Sequence, residues 1–324
     1  MPFISSLDKN IWAHYIPPYP DELFSSWFFR LSQAHHVKSH SFGRYYFKNQ
    51  QFWNRDVDNM PSQYLKDIIF NNTPLNYSSI SQLFLTSYES FLFESHNPFG
   101  RTMGILPLGI MHRKRKNNGL LFCPLCLKKH PYYRKSWRIF VSYICCKCRV
   151  LLRDSCPVCN EPIAFHRLEQ GDKNKIQTHS LNHCSFCLYD LSSEYKMASS
   201  LQLDYQQKIN TILHQGFTEN YSYSFAYFKL LSSVAGLLSR RHTIWGRLRY
   251  ACENEFGYLP ENSESIDLWN IDNRRIIFEM AFKVVDNPDI LLFLIKEYNL
   301  RLSEFNKDHS LPFFFENIFK SNYL

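Results

Sequence analysis

Apolar residues recur at helical spacing at both ends of the chain and lose that spacing in the middle. In DELFSSWFFRLSQAHH, Leu23, Trp27, Leu31 and Ala34 fall three or four positions apart and share one helix face. The preceding YIPPYP, Tyr15 to Pro20, is extended, because proline lacks an N–H and restricts the residue before it. Asp21 is placed to cap the helix. A short break at His35 to Ser39 leads into SHSFGRYYFKNQQFW, a second helix. The two have the outline of a helix-turn-helix in which Arg44 and Lys48 would face a DNA groove; a plain helical hairpin packed into a core has the same pattern. Residues 60 to 100 continue with short helical segments such as SQLFLTSYESFLFE, and Gly100 to Gly119 reads as a basic, loop-like approach to the cysteines.

From Cys123 to Cys187 the texture changes to short strand-like pieces, WRIFVSYI among them, between turn residues, as in small metal-held β modules. Beyond Met197 the helical period returns in SLQLDYQQKINTILHQGF, YSFAYFKLLSSVAGLLSRRH, WNIDNRRIIFEMAFKVV and NPDILLFLIKEYNLRLSEF. The pattern predicts a mainly α protein with a small central zinc-bound β region. Helix-turn-helix-like helices occupy residues 1–100, a basic region with two tandem zinc ribbons 101–195, and a C-terminal helical domain 196–324.

The 324 residues are 45% hydrophobic and 17% aromatic, enough for a sizeable core and for two or three domains. The start, MPFISSLDKNIW, lacks the basic and apolar regions of a secretory signal, and no apolar run is long enough to span a bilayer, so a cytoplasmic protein without membrane contact is expected. The net charge of +8 is unevenly placed: Arg101 to Arg153 holds thirteen Lys and Arg and no Asp or Glu, leaving 24 basic against 29 acidic residues elsewhere. The run is densest at HRKRK, His112 to Lys116, and at LKKH, Leu127 to His130. Contact with a phosphate backbone is the leading physical use of such a field; an acidic protein would use it too. Arg113, Lys114, Arg115, Lys116, Lys128, Lys129 and Arg138 are the candidate nucleic-acid contacts.

Nine of the ten cysteines form four knuckles: Cys123 with Cys126, Cys145 with Cys148, Cys156 with Cys159 and Cys184 with Cys187, Cys146 lying inside the second. Two residues between sulfurs let a tight turn aim both thiolates at one cation, and tetrahedral zinc takes four such donors. In a reducing compartment this favours two structural zinc ions over disulfides. Chain order suggests that the first two knuckles form one site and the last two another; a cross-braced pairing fits the spacing as well, and Cys146 could replace Cys145. His130, His166, His179 and His183 are then surface groups or supports around the sites. Subtracting two tetrathiolate sites leaves the chain near +4, so the positive field survives metal binding. Ribbons this small depend on metal to fold, and closed four-sulfur sites leave no coordination position for an activated water.

The ordered set PPYPDELFSSWFFRL, GILPLGIMHRKRK, FCPLCL, WRIFVSYICCKC, LLRDSCPVC and HCSFCLYDL resembles the TniQ family, to which TnsD also belongs, over roughly residues 17 to 191. QFWNRDVDNMP, Gln51 to Pro61, is similar to a stretch in some members. In that family the second knuckle often ends in His where this chain has Cys148. The resemblance implies a transposition target-selection adaptor that recruits a TnsC-type AAA+ ATPase. It implies partners of two kinds, an attachment site in DNA or, for members that dock as a homodimer, a CRISPR RNA-guided effector complex.

Two other classes compete with that reading. One is a zinc-containing protein-interaction scaffold, for which 20 Tyr and 28 Phe supply contact area, though most such rings belong in a core. The other is a metal-dependent nuclease using Asp56 and Asp58, but acids this close in a loop usually serve turns and caps, and no hydrolase or nucleotide-binding motif accompanies them, so no catalytic residues are assigned. Trp137 reads as the roof of a small core. Arg240, Arg241, Arg247 and Arg249, with His242, form a second basic stretch that suits DNA, an acidic partner or plain solvent.

Overall fold

The computed structural model describes residues 9–48, 52–170, 177–240, 246–305 and 311–320; the opening octapeptide and the expected basic residues Arg241 and His242 lie outside it. The chain forms two compact units, one made of the described residues up to Ser87 with Pro107–Met197, the other of Tyr88–Leu106 with the residues from Ala198 onward. The fold is mostly helical with three two-stranded sheets.

In the first unit, α1 (Phe24–Ala34) and α2 (Ser39–Phe47) pack together, followed by α3 (Gln63–Asn72) and the single turn α4 (Tyr77–Ser81). The rings of Phe24, Trp27, Phe28 and Phe29 are all buried, and Phe28 lies 5.3 Å from Phe42 of α2 and 4.5 Å from Phe52. Neither helix caps itself. Leu23, not Asp21, stands at the start of α1; Asp21 has φ +61° and its carboxylate accepts a bond of 2.5 Å from Ser136. The cap of α1 comes from Asp58, whose carboxylate accepts from the Ser25 amide at 2.8 Å and its hydroxyl at 2.6 Å. The α2 N-terminus is closed by Glu169, which accepts from the Ser39 amide at 2.7 and 2.8 Å and its hydroxyl at 2.8 Å. A carboxylate at a helix N-terminus satisfies free N–H groups and complements the dipole, about 0.5–2 kcal/mol each. The second helix is shorter than its pattern predicts: it stops at Phe47, Lys48 takes φ +37°, and Phe52–Asn54 form a separate 3-10 turn.

The basic approach to the cysteines is a hairpin, not a loop. β1 (Ile110–Met111) pairs antiparallel with β2 (Lys114–Arg115), and the connecting His112 and Arg113 both have positive φ, +48° and +64°, as a type I′ turn requires. Gly109 at its base has φ +58°, and a Cβ there would meet the Asn117 side chain at 2.7 Å. After α5 (Pro124–Lys129), the segment expected as a strand, WRIFVSYI, is mostly not one. Trp137, Arg138, Ile139, Phe140 and Val141 are buried in succession, so no face alternates, and strand pairing is confined to β3 (Ile144–Cys145) with β4 (Val150–Leu151). Last comes β5 (Glu169–Gln170) with β6 (Gln177–Thr178).

The second unit is built around α7 (Ser224–Ser239), which packs on α6 (Ser200–Gln215), α8 (Arg247–Phe256), α9 (Ile271–Asp286) and α11 (Leu302–Phe305). The α10 helix (Pro288–Tyr298) lies against α8, α9 and α12 (Phe313–Lys320). Ser199 and Gln202 close the start of α6 as a reciprocal capping box, and Gly216 at φ +82° ends it. Tyr227, Leu231, Val234 and Leu238 give α7 a buried stripe at three- and four-residue steps. Among the described residues no helix is long and apolar enough to cross a membrane.

Candidate metal centres and a basic cleft

The eight cysteines fall into two groups of four in chain order, Cys123, Cys126, Cys145 and Cys148, then Cys156, Cys159, Cys184 and Cys187, with all sulfurs of a group within 4.8 Å of one another. The tandem pairing therefore holds and the cross-braced one does not. Four thiolates at 2.3 Å from a tetrahedral ion would sit about 3.8 Å apart. Here Cys126 lies 3.6 Å from Cys145 and 3.5 Å from Cys148, and the Cys156–Cys187 and Cys159–Cys184 pairs are each 3.6 Å apart. The donor set and its spacing fit a divalent cation, and Cys145 is the ligand of the adjacent pair; Cys146, in the turn that follows β3, belongs to neither group.

Three of the four knuckles share one backbone device. The residue after the second cysteine, Arg149, Asn160 or Leu188, takes a left-handed φ of 57–60°. Its N–H then bonds back to the carbonyl of Cys145, Cys156 or Cys184 at 2.7, 2.9 and 3.0 Å. The fourth is helical: Cys123 is the N-cap of α5, its sulfur accepting from the Cys126 amide at 3.4 Å, with Pro124 in the first turn. Hydrogen bonds from the Cys123 and Cys145 thiols pull the Cys126 thiol below its ordinary value.

The loop spanning the first site carries the core of the unit. Arg138, fully buried, donates to Asp56 at 3.2 and 2.5 Å and stands 3.8 Å from Asp58. Its expected place on a phosphate-binding surface is thus overturned: the guanidinium neutralises Asp56 and Asp58, the second of which caps α1. Asp56 and Asp58 serve that ion pair and cap. Trp137 is buried edge-on against Tyr133, whose ring stacks on Phe165 at 4.8 Å and whose hydroxyl donates to Leu181 O at 3.0 Å.

Beside the second site the unit opens into a cleft of about 1330 Å³. Lys38 and His40 line it from the α2 N-terminus, Met111 to Lys116 from the hairpin, Ala164, His166 and Arg167 from the segment after Cys159, and Ser185 and Phe186 from the last knuckle. Arg113, Lys114 and Lys116 are exposed. Arg115 is not: strand alternation turns it inward, where it donates to Ile163 O at 2.7 Å and lies over the Phe165 ring, a correction to its expected phosphate role. His40 is pushed below the usual imidazole value by burial and then by Arg113 and Arg44, so Arg44 contributes to the same field. Lys48, Lys128 and Lys129 are exposed but do not line the cleft; the two lysines end α5 beside the first site.

None of the four candidate histidines joins a sulfur group. His130 is exposed, and His179 and His183 face each other at 5.9 Å. His166 is buried, stacked on Trp53 at 4.8 Å, and pushed down to about 3 by burial and by Arg115. Neither its part in the cleft nor that of Trp53 and Asn54 is visible in sequence spacing. In the second unit Arg249 is also internal, donating to Leu238 O, Pro260 O, Leu259 O and Glu253, so it leaves the second basic stretch; Arg240 is exposed, and Arg247 donates to Asn299 O.

A family model described as TniQ matches residues 14–152, bearing out the resemblance over that stretch. The match runs from the approach to α1 through β4 and takes in the helix pair, the basic hairpin and the first sulfur group; the second group lies beyond it. It suggests a role in transposition-associated target selection. No curated protein matches the chain.

Proposed function

We propose that this chain is a non-enzymatic, cytoplasmic target-selection adaptor for transposition that binds DNA through the basic cleft and recruits a TnsC-type AAA+ ATPase. The observation that carries the reading is the cleft itself. The acid-free run of the sequence folds back as a hairpin whose exposed Arg113, Lys114 and Lys116 stand with Lys38 and Arg167 around one concavity, inside or beside the region matched by the family. Phosphate neutralisation needs clustered cations of this kind on a rigid frame. Zinc is the metal we assign to both sulfur groups, since closed sets of four thiolates are its usual structural sites and leave the ion no role but bracing.

The test is binding of labelled duplex DNA over a salt series. The logarithm of the affinity falls linearly with the logarithm of salt, and alanine at Arg113, Lys114 and Lys116 together lowers the slope by about 2 to 3. An affinity that stays flat as salt rises would remove the electrostatic basis of the reading. A pull-down with a TnsC-type ATPase checks recruitment separately, with retention expected.

A further inference from the structure

We infer that the second sulfur group is a peroxide-sensitive switch: its exposed thiolate reacts with a hydroperoxide, a disulfide between Cys187 and Cys156 displaces the metal ion, and one wall of the cleft is released. The inference rests on the zinc assignment above and, for its effect on binding, on the nucleic-acid reading. Two observations carry it. The first is access: Cys123, Cys126 and Cys145 of the first group are 0, 6 and 7% exposed and Cys148 is half-buried, whereas Cys187 is exposed at the end of the last knuckle. The second is a sulfur within reach: Cys187 Sγ lies 3.6 Å from Cys156 Sγ, which belongs to the other knuckle and is itself buried. An oxidant in solvent meets Cys187 first and finds a resolving cysteine behind it.

A cysteine bound to a metal is held as the thiolate, the form that attacks peroxide, and zinc has no redox chemistry of its own, so the electrons come from sulfur. Cys187 Sγ attacks one peroxide oxygen; the S–O bond forms, the O–O bond breaks and hydroxide leaves, giving a sulfenic acid. Cys156 Sγ then attacks that sulfur; the S–S bond forms, the S–O bond breaks and a second hydroxide leaves. The two sulfurs give two electrons to the peroxide, which ends as two waters once the hydroxides take protons from solvent. Cys159 and Cys184 remain, two donors where four held the ion. What is freed is a wall of the cleft. The hairpin of residues 181–191 is fastened at its base, where Leu181 and Leu191 are buried and Tyr133 donates to Leu181 O at 3.0 Å. Ser185 and Phe186, which line the cleft, stand at its tip between Cys184 and Cys187, where the metal is the brace.

The test titrates the zinc-loaded full chain with hydrogen peroxide, reads released zinc with a chromogenic chelator, and maps oxidised cysteines by mass spectrometry after native alkylation. Anisotropy with labelled duplex DNA follows binding in the same samples. One ion leaves at a peroxide concentration at least about fivefold below that which strips the other, and the disulfide formed with it joins Cys156 to Cys187. The first group keeps its ion through that step. DNA affinity drops at least about fivefold with the ion, and reductant with zinc restores it. Cys146→Ala, which removes a half-buried thiol outside both groups, releases the ion as the parent chain does. Loss of both ions together, loss from the first group alone, a disulfide without Cys187, no loss at all, or loss abolished in Cys146→Ala overturns the switch and leaves the DNA-binding reading intact. Release of the ion with unchanged DNA affinity overturns its link to the cleft. A chain that binds no DNA before oxidation overturns the binding reading, while zinc release still decides the redox chemistry.

Discussion

The two sulfur groups have the same ligands and nearly the same sulfur spacings, yet they are embedded differently. In the first, three cysteines are buried, and the loop between its halves contributes Tyr133, Trp137, Arg138, Phe140 and Tyr143 to the core. In the second, Cys187 is exposed and Cys159 half-buried, and the intervening loop holds the cleft residues Ala164, His166 and Arg167. One centre therefore braces the fold and the other shapes a surface. Burial, and what the enclosed loop does, sets the role of a metal site more than the identity of its ligands.

The largest expected effect comes from breaking the ligands themselves. Cys126→Ser removes a buried thiolate of the first site and with it the frame of the core loop, so the first unit unfolds and metal content falls from two ions toward none. Cys187→Ser removes an exposed ligand, and circular dichroism and melting then stay close to the parent chain while one metal is lost. Equal melting losses in the two variants would erase the contrast.

Next in size is the ion cluster within the first loop. Arg138→Met strands two carboxylates, one of them the cap of α1, and denaturant unfolding should show a loss of about 3–5 kcal/mol. The matching change in the other loop, His183→Ala, touches a half-buried ring and costs about 1 kcal/mol or less.

The same cluster carries a pH dependence. Burial and then the neighbouring Asp56 push Asp58 up to about 6, against the pull of Arg138 and Ser25. An unfolded carboxyl titrates near 3.9, so between about pH 4 and 6 the folded chain holds a proton that the unfolded chain has released. Stability from this group is fully present below that window and falls as pH rises through it, by roughly 2 to 3 kcal/mol. Unfolding across pH, read as the difference between the chain and Asp58→Asn, should show this slope disappear in the variant.

The smallest effect sharpens the second site. Leu188 holds a left-handed φ of +60° so that its amide can reach the Cys184 carbonyl. Leu188→Gly relieves that conformation, raising stability by about 1 kcal/mol or less, and should slow metal release to a chelator from the second site alone.

The cysteine spacing and the helical periods made most of the architecture readable, because metal geometry and helix faces are both local in sequence. The details that differed depend on which way a side chain faces once distant segments meet. HRKRK reads as five equivalent polar positions, but a type I′ hairpin sends Arg115 inward and leaves Arg113, Lys114 and Lys116 outside. WRIFVSYI has strand-forming residues, yet a segment buried on all sides has no face to give a sheet. Asp21 stands where a cap belongs, while the real caps of α1 and α2 come from Asp58 and Glu169, 33 and 130 residues away in sequence. The cleft floor joins Trp53 and Asn54 to His166 from opposite ends of the unit, and no spacing rule links them.

The most direct test of the central claim, that the second metal centre shapes a nucleic-acid-binding cleft, is affinity for a labelled nucleic-acid strand measured on parent chain and Cys187→Ser with metal quantified in the same samples. The account predicts that affinity drops along with the second metal ion while the first ion and the helical signal persist. Full affinity in a chain carrying one metal ion would contradict it.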